Sequence, residues 1–216
     1  MKIGFDINSV LRDTFLKAEQ IYQKHYIDEF VDEETSSFNE DEQKWVVENN
    51  TNGFEYKLNL PVTDLDSLEK HFIFPNKDEI FNFFYVDFPM QIFGNAPSTE
   101  PNTFNYLNDI YEKLRDNHEV FVVSDEIQKS KPATLFFLAK YGCLVENIRF
   151  FSNLTLDNMW ENIDMLITSN PNLINKKPKN KIIIKYKTTY NVDCECDYEI
   201  SSLNEFEGLY DKLNLN

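Results

Sequence analysis

Apolar and polar residues follow two rhythms along this chain, and the change between them divides it. Ile3, Phe5 and Ile7 alternate with other residues over positions 2–7, the period-two mark of a strand. Phe15, Leu16, Ala18, Ile21 and Tyr22 then recur near helical spacing, which predicts a helix over Arg12–Tyr26. A second alternating series begins near residue 104. It predicts a helix over Phe104–Asp116, a buried strand at Glu119–Ser124, and a helix over Pro132–Tyr141 stopped by Gly142. Strands follow at Asn147–Phe151, Asp164–Thr168 and Lys181–Tyr186, with a short helix or loop at Asn158–Asn162 and a turn at Asn170–Asn172. The chain closes with a strand at Tyr198–Ile200 and a helix over Ser202–Leu213. Such alternation implies an α/β fold: a parallel sheet with helices on both faces. Right-handed crossovers would bring the strand ends at Asp6, Ser124 and Thr168 to one edge. Residues 27–103 lack this rhythm and read as an insertion, mostly helical, with an aromatic block over Asp78–Phe93. The expected division is therefore 1–26 and 104–216 as the core and 27–103 as the inserted unit.

Composition narrows the classes of partner. With 216 residues and 42% hydrophobic content, the chain can bury a core of ordinary size. It has no apolar run of about 18 residues, so no membrane span is expected. Its N-terminus lacks the pattern of a secretory signal, because Asp6 and Asn8 interrupt the apolar stretch, so synthesis in the cytoplasm is expected. A net charge of −16 opposes binding to a phosphate backbone, and no direct nucleic-acid contact is expected. The charge is uneven: Asp28–Glu42 carries eight carboxylates and no Lys or Arg, as a solvated edge or as a strip for a basic partner. Cys143, Cys194 and Cys196 are too few for a disulfide framework, and Cys194-Glu-Cys196 lacks the further ligands of a structural zinc. His25, His71 and His118 are far apart, and none falls at a predicted strand end.

The candidate chemistry lies where strands end, since side chains there face the crevice in which open α/β sheets bind ligands. Strand one ends in Asp6-Ile-Asn8. The next strand of the second series ends in Val122-Val123-Ser124. A later one runs Ile163-Asp164-Met-Leu-Ile-Thr168-Ser169-Asn170-Pro171. In order and spacing these segments resemble the motifs of the haloacid dehalogenase (HAD) superfamily of phosphotransferases, over roughly residues 1–14 and 104–216. The insertion falls where that family inserts its cap. The resemblance implies a Rossmann-like HAD core and places Asp6 at the nucleophile position and Ser124 at the hydroxyl motif. It extends to Ile92–Ala96, Thr134–Ala139 and the segments around Tyr190 and Asp197, which look like HAD-like proteins encoded by tailed bacteriophages.

The departures from that pattern carry the functional expectation. The family's second acid, its general acid and base, is here Asn8. The later acid pair is Thr168 and Ser169, and Met159-Trp160 stands where related members have Lys-Trp, leaving Lys129 and Lys131 as candidate lysines. A hard divalent cation is held poorly without carboxylates, and loss of a general acid alone costs on the order of 10²–10⁴ in rate. The resemblance therefore implies a catalytically degenerate protein, with Asp6, Asn8, Ser124, Thr168 and Ser169 as vestigial positions and no catalytic residue, metal or cofactor expected. It would act as a structural or protein-interaction component, its partners other proteins such as phage subunits, in the host cytoplasm and in a virion. The alternative is a Mg²⁺-dependent HAD phosphatase or nucleotidase acting on a small phosphoester. Within the insertion, Phe81, Phe83, Phe84, Phe88 and Phe93 are either its core or, as interaction candidates, an exposed contact surface.

Overall fold

A computed structural model describes residues 1–28, 36–39, 44–49, 54–56, 71–126, 130–151, 156–213 and 215. Six strands form one parallel sheet: β1 (Lys2–Asp6), β5 (Glu119–Ser124), β6 (Asn147–Phe150), β7 (Met165–Thr168), β8 (Ile182–Tyr186) and β9 (Tyr198–Ile200), in the order β6-β5-β1-β7-β8-β9. This is the Rossmann-like α/β architecture expected from the alternation. The order places β1 between β5 and β7, with Phe5 paired to both Val122 and Ile167. The chain reverses its direction of travel across the sheet at β1, so the crevice at the carboxyl ends opens beside Asp6.

Strict alternation explains why both faces of the sheet are buried. Ile3 and Phe5 of β1, Val120 and Val122 of β5, Met165 and Ile167 of β7, and Ile184 of β8 face one core. That core is closed by α3 (Thr103–Leu114), α4 (Ser130–Lys140) and the C-terminal turns, where a 3₁₀ stretch, Leu203–Leu209, runs into α7 (Tyr210–Leu213). Phe121 and Val123 of β5, Leu166 of β7 and Ile183 of β8 face the other, with Met159 and Trp160 of α5 (Leu156–Asn162) and Ile174 of α6 (Pro171–Asn175).

Gly4 sits in β1 on this second face. A Cβ there would lie 2.9 Å from Ile163 Cδ1, 3.2 Å from Leu166 Cδ1 and 3.3 Å from Val123 Cγ1. Gly4→Ala is therefore expected to destabilise the fold by roughly 1–3 kcal/mol. The lower end is favoured because the nearest atom is the tip of a side chain. Urea denaturation at constant slope is the measurement; a neutral or stabilising result would contradict the packing described here.

Helix ends follow from local chemistry. The Asp13 carboxylate accepts from the Leu16 N–H at the start of α1 (Thr14–Tyr22), which continues as π-helical turns to Asp28. Gly142 takes a φ of +67° beyond α4, where the N–H of Cys143 closes back on the Leu138 carbonyl. Asn170-Pro171-Asn172, expected as a turn, instead opens α6. Asn170 Oδ1 accepts from the Asn172 N–H at 2.9 Å, and proline is tolerated in the first turn of a helix because it needs no donor there.

The inserted region is less uniformly helical than the sequence suggests. Beside α2 (Lys77–Asn82) and its π-helical continuations over Phe83–Asp87 and Met90–Gly94, three strands form an antiparallel sheet, β2 (Ser36–Asn39), β3 (Lys44–Asn49) and β4 (Phe54–Tyr56). Short strands of three to six residues give little alternation to read. Most of the acidic run Asp28–Glu42 lies outside the described residues.

The aromatic block is a core. Phe83, Phe84 and Phe93 are buried with Tyr22, Ile27 and Phe72, while Phe81 and Phe88 are half-buried. For Phe83, Phe84 and Phe93 the core alternative holds, while Phe81 and Phe88 are partly at the surface. Their rings pack on one another and on α1, with Phe83 and Phe84 centroids 5.0 Å apart and Phe83 and Tyr22 6.0 Å apart. Among the described residues, no helix is long and apolar enough to cross a membrane.

Candidate functional site

The carboxyl ends of β1, β5 and β7 bring Asp6, Asn8, Ser124, Thr168 and Ser169 to one edge. Asp6 is 7% exposed. Its Oδ2 accepts from the Thr168 hydroxyl at 2.6 Å and its Oδ1 from the Asn8 N–H at 3.3 Å. Thr168 Oγ1 in turn accepts from the Asn170 N–H at 3.1 Å. Burial, and then the nearby charge of Asp125, push the Asp6 carboxyl up to about 7, against the opposing pull of the Thr168 and Asn8 hydrogen bonds and of the Arg12 charge. Ser169 Oγ donates to the Asn8 carbonyl at 3.3 Å and lies 3.2 Å from the Tyr190 hydroxyl. Asn191 ties the loop down from behind, its Nδ2 donating to the Ser169 and Tyr186 carbonyls.

Asn8 is held in a single orientation. Its Oδ1 accepts from Arg12 Nη2 and from the Thr14 hydroxyl, both at 2.7 Å. The amide nitrogen is therefore the group turned toward Asp125, donating to Oδ1 at 3.1 Å. The turn that arranges this is tight: Ser9 takes a φ of +60°, and the N–H groups of Leu11 and Arg12 both close on the Ile7 carbonyl. A non-glycine residue in the left-handed region is uncommon, and such strain concentrates at functional sites.

Arg12 is fully buried and paired with Glu126, which is 2% exposed. Arg12 Nη1 also donates to the Phe93 carbonyl at 3.1 Å and to Thr134 Oγ1 at 2.8 Å, and Nε donates to Thr14 Oγ1 at 3.0 Å. The Thr134 hydroxyl donates to the second Glu126 oxygen. The guanidinium lies 5.0 Å from the Phe93 ring centre and 5.3 Å from that of Phe137. Burial lowers its pKa to about 9, so it stays cationic at neutral pH. One side chain thus joins the first strand's turn, the end of β5, α4 and the returning inserted segment. Sequence reasoning stopped at Ser124 and missed Asp125 and Glu126, although both acids follow it directly.

Above these residues lies a cavity of 430 Å³. Its floor includes Asp6, Asn8, Ser124, Asp125 and Ser169, and its walls include Phe15, Phe84, Tyr85, Phe93 and Phe151. Of the candidate lysines, Lys129 lies outside the described residues, and Lys131 stands 5.2 Å from the centre of the Phe150 ring. Among the described residues, the lysine that lines the cavity is Lys176, exposed just beyond α6.

The Mg²⁺ that the resemblance implies can be tested against these donors. Mg²⁺ needs near-octahedral oxygen ligands, with carboxylates supplying the charge. Here the Asn8 side chain presents an N–H₂ group to the cavity, and its main-chain carbonyl is engaged by Ser169. Thr168 gives its proton to Asp6. Among the described residues, no group of three or more His, Cys, Asp or Glu side chains could hold a metal ion. Asp6 and Asp125 bring charge, but with the Asn8 amide, the Asn8 carbonyl and Thr168 engaged elsewhere this donor set falls short of the oxygens Mg²⁺ needs.

No protein-family model matches the chain, and no curated protein matches it. Solved structures do. A haloacid dehalogenase-like hydrolase of Burkholderia xenovorans LB400 superposes with a TM-score of 0.54 at 9% identity, over 99% of this chain and 98% of that one. Two structures of a dehalogenase, one with an intermediate complex, give TM-scores of 0.49 and 0.47 at 9% and 10% identity, each over 96% of both chains. At such identities the likeness concerns the backbone alone. The chain has the fold of the haloacid dehalogenase-like hydrolases.

Proposed function

We propose that this chain is a catalytically degenerate HAD-fold protein that works as a binding or structural component rather than as a phosphotransferase. The observation that carries this reading is the fixed orientation of Asn8, whose oxygen is taken by Arg12 and Thr14. A phosphotransferase of this fold needs a proton shuttle and a metal at that position, and phosphoryl transfer is chiefly positioning plus charge stabilisation. An amide has no proton to shuttle at neutral pH, and the hydroxyls of Thr168 and Ser169 carry no charge for a metal.

The partner class is other proteins. Support comes from apolar side chains at the surface, among them Met90 of the inserted segment and Leu135 and Phe136 of α4, with Met90 and Phe136 flanking Gly94. The sequence resemblance to phage-encoded proteins makes co-expressed phage structural subunits the first to test, by size-exclusion with light scattering. The competing reading, a phosphatase, draws on Asp6, Ser124 and Lys176 lining one cavity.

Incubation with Mg²⁺ and an aryl phosphate separates the two. Wild type is expected to show no turnover above a blank. Asn8→Asp is expected to show none either, because a carboxylate at that position would still face Arg12 and Thr14 on one side and Asp125 on the other. Turnover by wild type that is lost in Asp6→Asn would overturn the proposal.

A further inference from the structure

The cavity joins two carboxylates to aromatic walls. Asp6 lies at its floor and Asp125 beside it, the latter held at 3.1 Å by the Asn8 amide. Phe15, Phe84, Tyr85 and Phe93 line the sides. Among the described residues, the buried cation Arg12 pairs with Glu126 and offsets part of the charge on Asp6 and Asp125, and Lys176 is exposed at the rim. We infer that this cavity binds a small organic cation, a primary ammonium group on an apolar or aromatic stem. The inference rests on the non-catalytic reading above, since a bound Mg²⁺ would claim the same carboxylates.

The physical reasons are three. Two carboxylates in a confined space repel each other, and a cation between them relieves that repulsion; the upward push that Asp125 exerts on Asp6 reports the same field. An ammonium offers three donors, and each carboxylate oxygen can accept more than the single hydrogen bond described for it here. Aromatic faces attract a desolvated cation while covering its apolar stem. An anionic ligand meets the opposite balance: among the described lining residues, Lys176 faces Asp6, Asp125 and Glu126, in a chain of net charge −16. A volume of 430 Å³ is in the range of small-molecule pockets.

Thermal unfolding at pH 8 is the test, with phenethylamine as probe, phenylpropionate and phenyl phosphate as anionic controls, and matched ionic strength. Nα-acetyl-lysine amide is a further arm, reporting whether an ammonium borne by a protein side chain is accepted. At a tenfold excess over its dissociation constant, an accepted amine should raise the midpoint by roughly 3–6 °C. The anions should not. Asp125→Asn should weaken amine affinity on the order of tenfold, and Asp6→Asn/Asp125→Asn should abolish the shift while still melting cooperatively. No shift with either amine, or a shift that survives the double substitution, would overturn the inference. Aryl phosphate turnover is read on the same preparation. No amine shift without turnover removes this inference alone. Turnover with an amine shift removes the non-catalytic reading alone, and turnover without a shift removes both.

Discussion

Replacing Arg12 with methionine should cost about 3–5 kcal/mol of stability, among the largest single effects available in this chain. The loss is not that of one favourable contact. Removing the guanidinium leaves Glu126 as a buried, uncompensated anion, and it strips donors from Asn8, Thr14, Thr134 and the Phe93 carbonyl at once. A buried acceptor without a donor costs its desolvation, about 1–3 kcal/mol each before any rearrangement. Glu126→Gln should cost less, because the amide oxygen still accepts from Arg12, but it leaves a buried cation short of its counter-charge. The informative variant is the double one, Arg12→Met/Glu126→Leu. Removing both charges together should be cheaper than the sum of the singles, since desolvation of the pair offsets much of its attraction. Equilibrium urea denaturation, with the slope checked for constancy, gives all three values. Single substitutions costing under about 1 kcal/mol would show that the pair does not join the inserted segment to the core in solution.

Asp6 should make stability depend on pH in a direction opposite to that of most carboxylates. Its folded-state pKa is raised to about 7 by burial and by Asp125, whereas an unfolded aspartate titrates near 3.9. Between roughly pH 4 and pH 7 the native state holds a proton that the unfolded state has released, so stability falls as pH rises across that window. The contribution is fully present below the unfolded pKa and is lost as pH passes through the folded one. Above it, the accumulated penalty is on the order of 4 kcal/mol. Asp6→Asn removes the titration without changing the shape of the side chain. The stability of Asp6→Asn relative to wild type should therefore climb from about pH 4 to pH 7 and then level off. Asp125→Asn should move that climb to lower pH, because it removes one of the two causes of the upward shift. A difference between wild type and Asp6→Asn that stays constant with pH would show that the Asp6 carboxyl is not desolvated. The same titration bears on chemistry. A carboxyl with a pKa near 7 is half protonated at neutral pH, which weakens it both as a nucleophile and as a metal ligand.

Much of the core could be read in the sequence because period-two alternation is local. Ile3 and Phe5 could be assigned to one face of a strand without knowing what lay against them, and the same holds for Val120–Val123 and Met165–Ile167. Once the strands alternated with helices, a parallel sheet and its handedness left few ways to arrange the strand ends. Asp6, Ser124 and Thr168 accordingly meet at one edge. What the block from Phe81 to Phe93 does was not legible in this way. Aromatic density alone is the same whether the rings face a partner or one another, and only packing against Tyr22 and Phe72 placed Phe83 and Phe84 inside. The small β2–β3–β4 sheet was missed because its strands are short.

The sequence by itself determined the inventory of the candidate site: one aspartate at the end of the first strand, an asparagine two residues on, and hydroxyls where acids would be needed. Tertiary structure alone decided what that inventory means. Arg12 and Glu126 are 114 residues apart, and neither carries a local sign that it is buried or paired. Their contact arises only when β1 and β5 lie side by side with α4 packed above. That contact turns the Asn8 amide, and the amide's direction settles which atom faces the cavity. A side chain's identity is written in one position; its orientation is imposed by groups that the fold brings from far along the chain.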